Sequence, residues 1–200
     1  MLFRSDYILS FEKLEALRWI EYLKIGGQII TNTQEVDPMP VITGAMQYPD
    51  ITYLPEDLPQ ILTLFYETVH TVCINDYSSE QLDAWAPKEL DISQWQYTLS
   101  NHYTLVAEEN GKILGFADLQ EPDYLDHLYV HKDAQHRGIA RTLVESLEKR
   151  ARSVGAQQLS VHVSVTAKGF FLHQGYRVVH EQFPIRHGIT LTNYLMIREL

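Results

Sequence analysis

Gln135-His136-Arg137-Gly138-Ile139-Ala140 lies between a strand-like run, Tyr124-Leu125-Asp126-His127-Leu128-Tyr129-Val130, and a helical pattern running to Gly155. In that pattern Leu143, Leu147 and Ala151 recur at helical spacing. A glycine-centred turn that opens a helix leaves the first backbone N–H groups without intrahelical partners. Those donors, with the positive end of the helix dipole, suit a phosphate group. Gly138 has no Cβ, so a diphosphate can approach its main chain closely. The stretch reads as an anion site, and the turn alone does not name the anion.

The chain has 200 residues, 45% of them hydrophobic, which fits one globular domain with an appendage. Its formal charge of −10 argues against broad binding to nucleic acid and leaves an amine-bearing substrate open. Lys149, Arg150 and Arg152 read as cations placed at a helix C-terminus. The single cysteine, Cys73, allows no intramolecular disulfide and no cysteine-based zinc cluster, which points to a reducing compartment. Set in Thr71-Val72-Cys73-Ile74, it reads as a buried inert thiol. No apolar stretch approaches the roughly 20 residues that cross a bilayer. Asp6 and Glu12 interrupt anything like a signal peptide. A soluble, cytoplasmic protein is expected.

Residues 1–47 read as an extension. Phe11, Leu14, Leu17, Ile20 and Leu23 predict an amphipathic helix over residues 10–24, stopped by Gly26-Gly27. Pro38, Pro40 and Pro49 mark a linker over residues 31–49, and Met46 could be an alternative start. From residue 48 the elements alternate. A strand is expected at residues 51–54, then a helix from Pro55 to Cys73, a short helix capped by Ser79 and ended by Pro87, and a helix over residues 92–99. A hairpin is expected at residues 103–109 and 112–119 around Asn110-Gly111. Strands at 124–130, 158–163, 176–183 and 190–198 follow, with helices after the turn and at 167–173. The fold class is α/β, with a mixed, mostly antiparallel central sheet flanked by helices.

Leu128-Tyr129-Val130-His131-Lys132-Asp133-Ala134-Gln135-His136-Arg137-Gly138-Ile139-Ala140 resembles the strand, turn and helix start of the GNAT superfamily of acyltransferases. The family pattern is Q/R-x-x-G-x-G/A, a loop that cradles the diphosphate of acetyl-CoA. The element order over residues 48–200 also resembles the family, as does Gly175-Tyr176 where members carry Gly-Phe. Asp76 to Pro87, Asp118-Leu119, Asp126-His127-Leu128, Thr166-Ala167-Lys168 and Asn193-Tyr194 look like its bacterial YafP-like branch. The resemblance implies an N-acetyltransferase passing an acetyl group directly from a thioester to a primary amine, with acetyl-CoA as cosubstrate and no metal. A small-molecule acceptor is expected, without a membrane, with nucleic acid disfavoured, and a homodimer is compatible with it.

Three tasks follow: holding the cofactor, deprotonating the amine and stabilising the leaving thiolate. The resemblance assigns pantetheine pairing to main chain at Leu128, Tyr129 and Val130. It sets the diphosphate over the N–H groups from His136 to Thr142, with Arg137 or Arg141 adding charge. Gln135, Gly138, Ile139 and Ala140 belong to the same cradle, and Ser164, Lys168 and Phe171 to the cofactor side. A glutamate that serves some relatives as base falls at Tyr124, so Asp126 and His127 are the candidates. His127, with an unperturbed pKa of about 6.5, suits proton transfer. Strict alternation would put Tyr124, Asp126 and Leu128 on one face and Leu125, His127 and Tyr129 on the other. The tyrosine that many relatives use as acid falls at Phe171, which cannot donate a proton. A frequent asparagine falls at Ser164. Tyr194 and Tyr77 are the candidate replacements. Tyr77, Trp85 and Tyr124, with the hairpin around His187-Gly188, are the expected acceptor walls. Two other readings stand beside this one: a weakly catalytic acyl-CoA-binding or partner-binding module, and a toxin that acetylates aminoacyl-tRNA.

Overall fold

The computed structural model describes the backbone of residues 5–10 and 23–31 and the whole of residues 53–109 and 111–200. The chain divides into two units, Met1–Asp50 and Ile51–Leu200. In the first, β1 (Ser5–Ser10) and β2 (Leu23–Thr31) pair in parallel, with Ser10 opposite Thr31. The helix expected over residues 10–24 is therefore wrong at both ends, where Ser10 closes β1 and Leu23 and Lys24 open β2. Residues 11–22 lie outside the described residues. Gly26 and Gly27 fall inside β2, whose Ile25, Ile29, Ile30 and Thr31 are β-branched and favour a strand. Of the expected linker, Thr31 belongs to β2, and the rest, with Met46, lies outside the described residues.

The second unit opens with a 3-10 turn, Pro55–Asp57, and helix α1 (Leu58–Val72). Tyr53 and Leu54 belong to no strand, and residues 51–52 of the expected strand lie outside the described ones. The α1 stripe Ile61, Leu64, Phe65, Thr68 and Val69 is buried at the spacing of one helix face. Helix α2 (Ser79–Trp85) is capped by Ser78, one residue before the expected cap. The Ser78 hydroxyl accepts from Gln81 N at 3.3 Å, and Gln81 Oε1 accepts from Ser78 N at 3.0 Å. Helix α3 (Ile92–Asn101) leads into β3 (Tyr103–Glu109) and β4 (Lys112–Gln120). Asn110 of the expected turn lies outside the described residues. Then come β5 (Tyr124–Val130), α4 (Ile139–Ser153), β6 (Gln158–Ser164), α5 (Lys168–His173) and β7 (Arg177–Gln182). A small hairpin, β8 (Ile185–Arg186) and β9 (Ile189–Thr190), precedes β10 (Asn193–Glu199) and shortens the strand expected at residues 190–198.

The six-stranded sheet has the order β3-β4-β5-β6-β10-β7 and is antiparallel except between β5 and β6. One face packs on α1, α2 and α3 through Ile61, Phe65, Leu82, Leu99 and Phe116. The other packs on α4 and α5 through Val144, Leu147, Leu159, Phe171 and Met196. Gly115 lets α4 settle on β4: a Cβ there would lie 3.0 Å from Ile139 Cγ2 and 3.1 Å from Tyr129 O. That contact fixes where the first turn of α4 begins.

Two irregularities make the site. The first is the pairing of β5 with β6, which runs only through Tyr124 opposite Ser160 and Leu125 opposite Val161. Beyond Leu125 the strands diverge, so the β6-facing main chain of residues 128–130 loses its ladder. The second is a bulge. Asp118 pairs with His127 and Leu119 with Leu125, which leaves Asp126 as an extra residue of β5.

Candidate active site

A cavity of about 220 Å³ fills the divergence between β5 and β6. Leu128, Tyr129, Val130, Gln135, Ser164 and Phe171 line it, as do Cys73 and Trp85. Its wall is held from behind. Tyr176 packs edge-on against Phe171, with ring centroids 5.0 Å apart, and donates from its hydroxyl to buried Glu148 at 3.1 Å. Arg198 Nη1 donates to the same Glu148 Oε1 at 2.7 Å, so the Gly175-Tyr176 pair ties α5 to α4 and β10. The Ser164 hydroxyl is occupied locally, accepting from Ala167 N at 3.1 Å. The Cys73 thiol is buried, and that burial pushes its pKa up, as for an unreactive thiol.

At the mouth of the divergence the turn takes the conformation its glycine suggested. Gly138 is the α4 N-cap at φ 85°, and His136 also has a positive φ of 60°. The Ile139, Ala140 and Arg141 N–H groups have no partner among the described residues. Thr142 differs from its expected role: its N–H donates to Gly138 O at 3.0 Å, so the open donors end at Arg141. Arg137 reaches Glu109 at 2.6 Å and Arg141 reaches Glu145 at 2.7 Å, and all four side chains are exposed. Exposed, solvent-screened pairs of this kind are weak, and a phosphate can displace the carboxylates.

Against the smaller cavity lies a larger one of about 730 Å³. Tyr77, Trp85, Tyr124, Asp126, His127 and Tyr129 line it, with Trp95 and Asn193 beside them. Trp85, Asp126, Tyr129, His162 and Ser164 face both cavities, and the two meet there. The bulge overturns the strict alternation expected for β5. Leu125 and Leu128 enter the α4 side of the core, while Tyr124, His127 and Tyr129 share the large cavity. Asp126 stands at the junction.

His127 is held by a charge network that the sequence did not disclose. Asp118 is fully buried, and its two oxygens accept from His127 Nδ1 at 2.8 Å and His102 Nδ1 at 2.6 Å. An ionised carboxylate only accepts, so both Nδ1 atoms carry protons, and neutral His127 keeps Nε2 as its basic atom. That Nε2 has no partner among the described residues. Burial opposes charge on Asp118, but His127 and His102 outweigh it and hold the carboxyl below its usual range. Burial likewise disfavours the His127 cation, yet Asp118, with help from Asp126, raises its pKa. Asp126 Oδ2 lies 3.4 Å from His127 Nδ1 and 3.9 Å from His102 Nδ1. The His127 ring rests on Trp95 at 4.8 Å between centroids. His102, Asp118 and Asp126 also bring ligand atoms within 4.8 Å of one another, although the first two already bind each other.

The candidate acids for the thiolate separate cleanly. Tyr77 donates to Thr192 O at 2.6 Å and accepts from Val165 N at 2.9 Å, and burial pushes it up to about 12. Its hydroxyl fastens the α1–α2 connection to the β9–β10 connection. Tyr194 lines neither cavity and instead lies under Lys168 Nζ, 3.6 Å from the ring centroid. Tyr124, also pushed up to about 12 by burial, shares a 3.2 Å hydrogen bond with His162 Nδ1.

The family description Acetyltransferase (GNAT) domain matches residues 73–198. The uncharacterized N-acetyltransferase YafP of Escherichia coli K12 is 33% identical over 144 residues, 72% of this chain and 91% of that protein. A solved GCN5-related N-acetyltransferase from Rhodopseudomonas palustris is 35% identical, with a TM-score of 0.72 over 78% of this chain and 100% of its own. The PaiA N-acetyltransferase of Thermoplasma acidophilum, solved with coenzyme A, shares the fold at a TM-score of 0.59 and 17% identity, covering 78% of this chain and 100% of that one. A stretch of 48 residues is 48% identical to subunit IorB of the Pyrococcus horikoshii indolepyruvate oxidoreductase, 24% of this chain and 24% of that one. No helix among the described residues is long and apolar enough to cross a membrane.

Proposed function

The chain belongs to the GNAT superfamily and is an N-acetyltransferase; from that premise we propose that acetyl-CoA fills the smaller cavity and a small-molecule primary amine the larger. The observation that carries this reading is the shared wall where the cavities meet, at the point where β5 leaves β6. The pantetheine amides pair with the unladdered main chain of residues 128–130, and the diphosphate rests on the open N–H groups of α4. The coenzyme A bound to the Thermoplasma neighbour of the same fold supports the assignment.

The amine arrives as an ammonium ion and must lose a proton before it can attack. His127 Nε2 takes that proton, because Asp118 fixes the ring and raises its basicity. Asp126, at the junction, holds the ammonium in position. The amine nitrogen then bonds to the thioester carbonyl carbon, the carbon–sulfur bond breaks, CoA leaves as a thiolate, and the proton that nitrogen sheds as the amide forms passes through solvent to that thiolate. Phe171 supplies no proton, so the sulfur is met by main-chain donors or solvent. The network at Asp118 favours this over a merely binding module, since a carboxylate fully buried between two imidazoles activates a base. Release of free CoA in a panel of primary amines, with mass spectrometry of the product, tests the reading. Stoichiometric CoA and acetylated amine are expected; tight acetyl-CoA binding with no acetylated product from any amine contradicts it.

A further inference from the structure

Three features of the large cavity are unused by the transfer itself. Arg186, at the tip of the β8–β9 hairpin, lines the cavity and has no ion pair or hydrogen bond among the described residues. Most of the other described arginines, among them Arg137, Arg141, Arg152 and Arg198, are paired with a carboxylate. Arg186 faces the site closely enough for its charge to act on Tyr124, His127 and Tyr129. Asn193 also lines the cavity, and its side-chain oxygen is buried without a partner among the described residues. A buried acceptor left unpaired is costly, and an incoming N–H offsets that cost when the amide turns its oxygen toward the cavity. Beside them the walls are aromatic: Trp85, Trp95 and Tyr124 line the same space.

A simple amine uses only part of this. Asp126 and Asn193 are acceptors suited to an ammonium group, and Arg186 is a fork suited to a planar anion. The aromatic walls suit a flat apolar body. We infer that the acceptor carries a carboxylate as well as its amine, joined to an aromatic body, as an aromatic α-amino acid does. The inference rests on the small-molecule acetyltransferase reading above and narrows it. Arg186 anchors the carboxylate, Asn193 and Asp126 take the ammonium, and the ring lies among Trp85, Trp95 and Tyr124. The hairpin tip thereby sets specificity without touching the thioester.

The test compares each aromatic amino acid with its decarboxylated amine, for example phenylalanine with phenethylamine and tryptophan with tryptamine. Measured by CoA release, kcat/KM is expected to favour the carboxylated member by about ten- to a hundredfold, the range of one charged hydrogen-bonding contact. In Arg186→Gln that ratio is expected to fall at least tenfold, through KM more than kcat. A ratio below one in the wild type overturns the inference, as does a ratio that Arg186→Gln leaves in place. Turnover confined to polyamines overturns it as well, while leaving the acetyltransferase reading intact. Acetyl-CoA binding with no amine acetylated overturns both.

Discussion

The proposed donor cleft and acceptor chamber share a wall yet are built from different material. The donor cleft is largely main chain: an unladdered strand end at residues 128–130 and the open N–H groups of one helix start. The acceptor chamber is largely side chain, drawn from α1, α2, α3, β5, β6 and the β8–β10 region. In the proposed assignment, main chain recognises what every acyl-CoA shares, the amides and the diphosphate. Side chains recognise what differs between acceptors. One fold can therefore keep its donor while changing its acceptor.

The sharpest break of that comparison is His127→Ala. It removes an acceptor-side group, so kcat should fall by about 10²–10⁴, the range for a lost general base. Acetyl-CoA affinity, measured by calorimetry, should stay within about twofold. Comparable loss in both would mean that the two regions are not separable. The reverse experiment is Arg137→Glu, which sets a carboxylate beside the helix start and opposite Glu109. Acetyl-CoA affinity should weaken about tenfold while the preference among amines is kept; unchanged affinity would remove Arg137 from the diphosphate site. The smallest effect is expected from Tyr194→Phe. That hydroxyl lines neither cavity, so kcat should change by less than about twofold, and a larger loss would restore Tyr194 as the acid.

The same division explains what was legible beforehand. A glycine turn, a hairpin and helical spacing are local signals, and they yielded most of the succession of elements after residue 55 and the start of α4. Gly175-Tyr176 was legible as a motif, although its work, bracing Phe171 through Glu148, is tertiary. The bulge at Asp126 was hidden because its cause is a register shift against β4, and one extra residue was enough to bring Tyr124 to the side of His127 and Tyr129 and Leu128 to that of Leu125. Asp118 did leave a trace, a lone carboxylate within Ile113-Leu114-Gly115-Phe116-Ala117-Asp118-Leu119, where burial requires a partner. His102 left none, since it stands 16 residues from Asp118 and meets it only through the β3–β4 pairing. In the first unit, helical spacing over residues 10–24 competed with the β-branched run at Ile29-Ile30-Thr31, and in β2 the strand prevailed.

The central claim is that Asp118 makes His127 the base. His127 faces Asp118 and Asp126, with His102 on the far side of the shared carboxylate and Arg186 lining the same cavity. Its raised pKa fixes the sign: the neutral, active form gains population as pH rises through a value above about 6.5. The same shift adds stability below the unfolded pKa, and that contribution is lost as pH rises through the folded value. Removing one member of a buried charged pair costs about 3–5 kcal/mol, so the near-isosteric Asp118→Asn is the variant to use. The measurement is the pH profile of kcat/KM for the amine at saturating acetyl-CoA, in the wild type and in Asp118→Asn. The wild type should show a rising limb above about pH 6.5. In the variant, burial of His127 is no longer opposed by Asp118, so the limb should move below that value and the plateau should fall. A limb at the same pH in both proteins would contradict the assignment of His127.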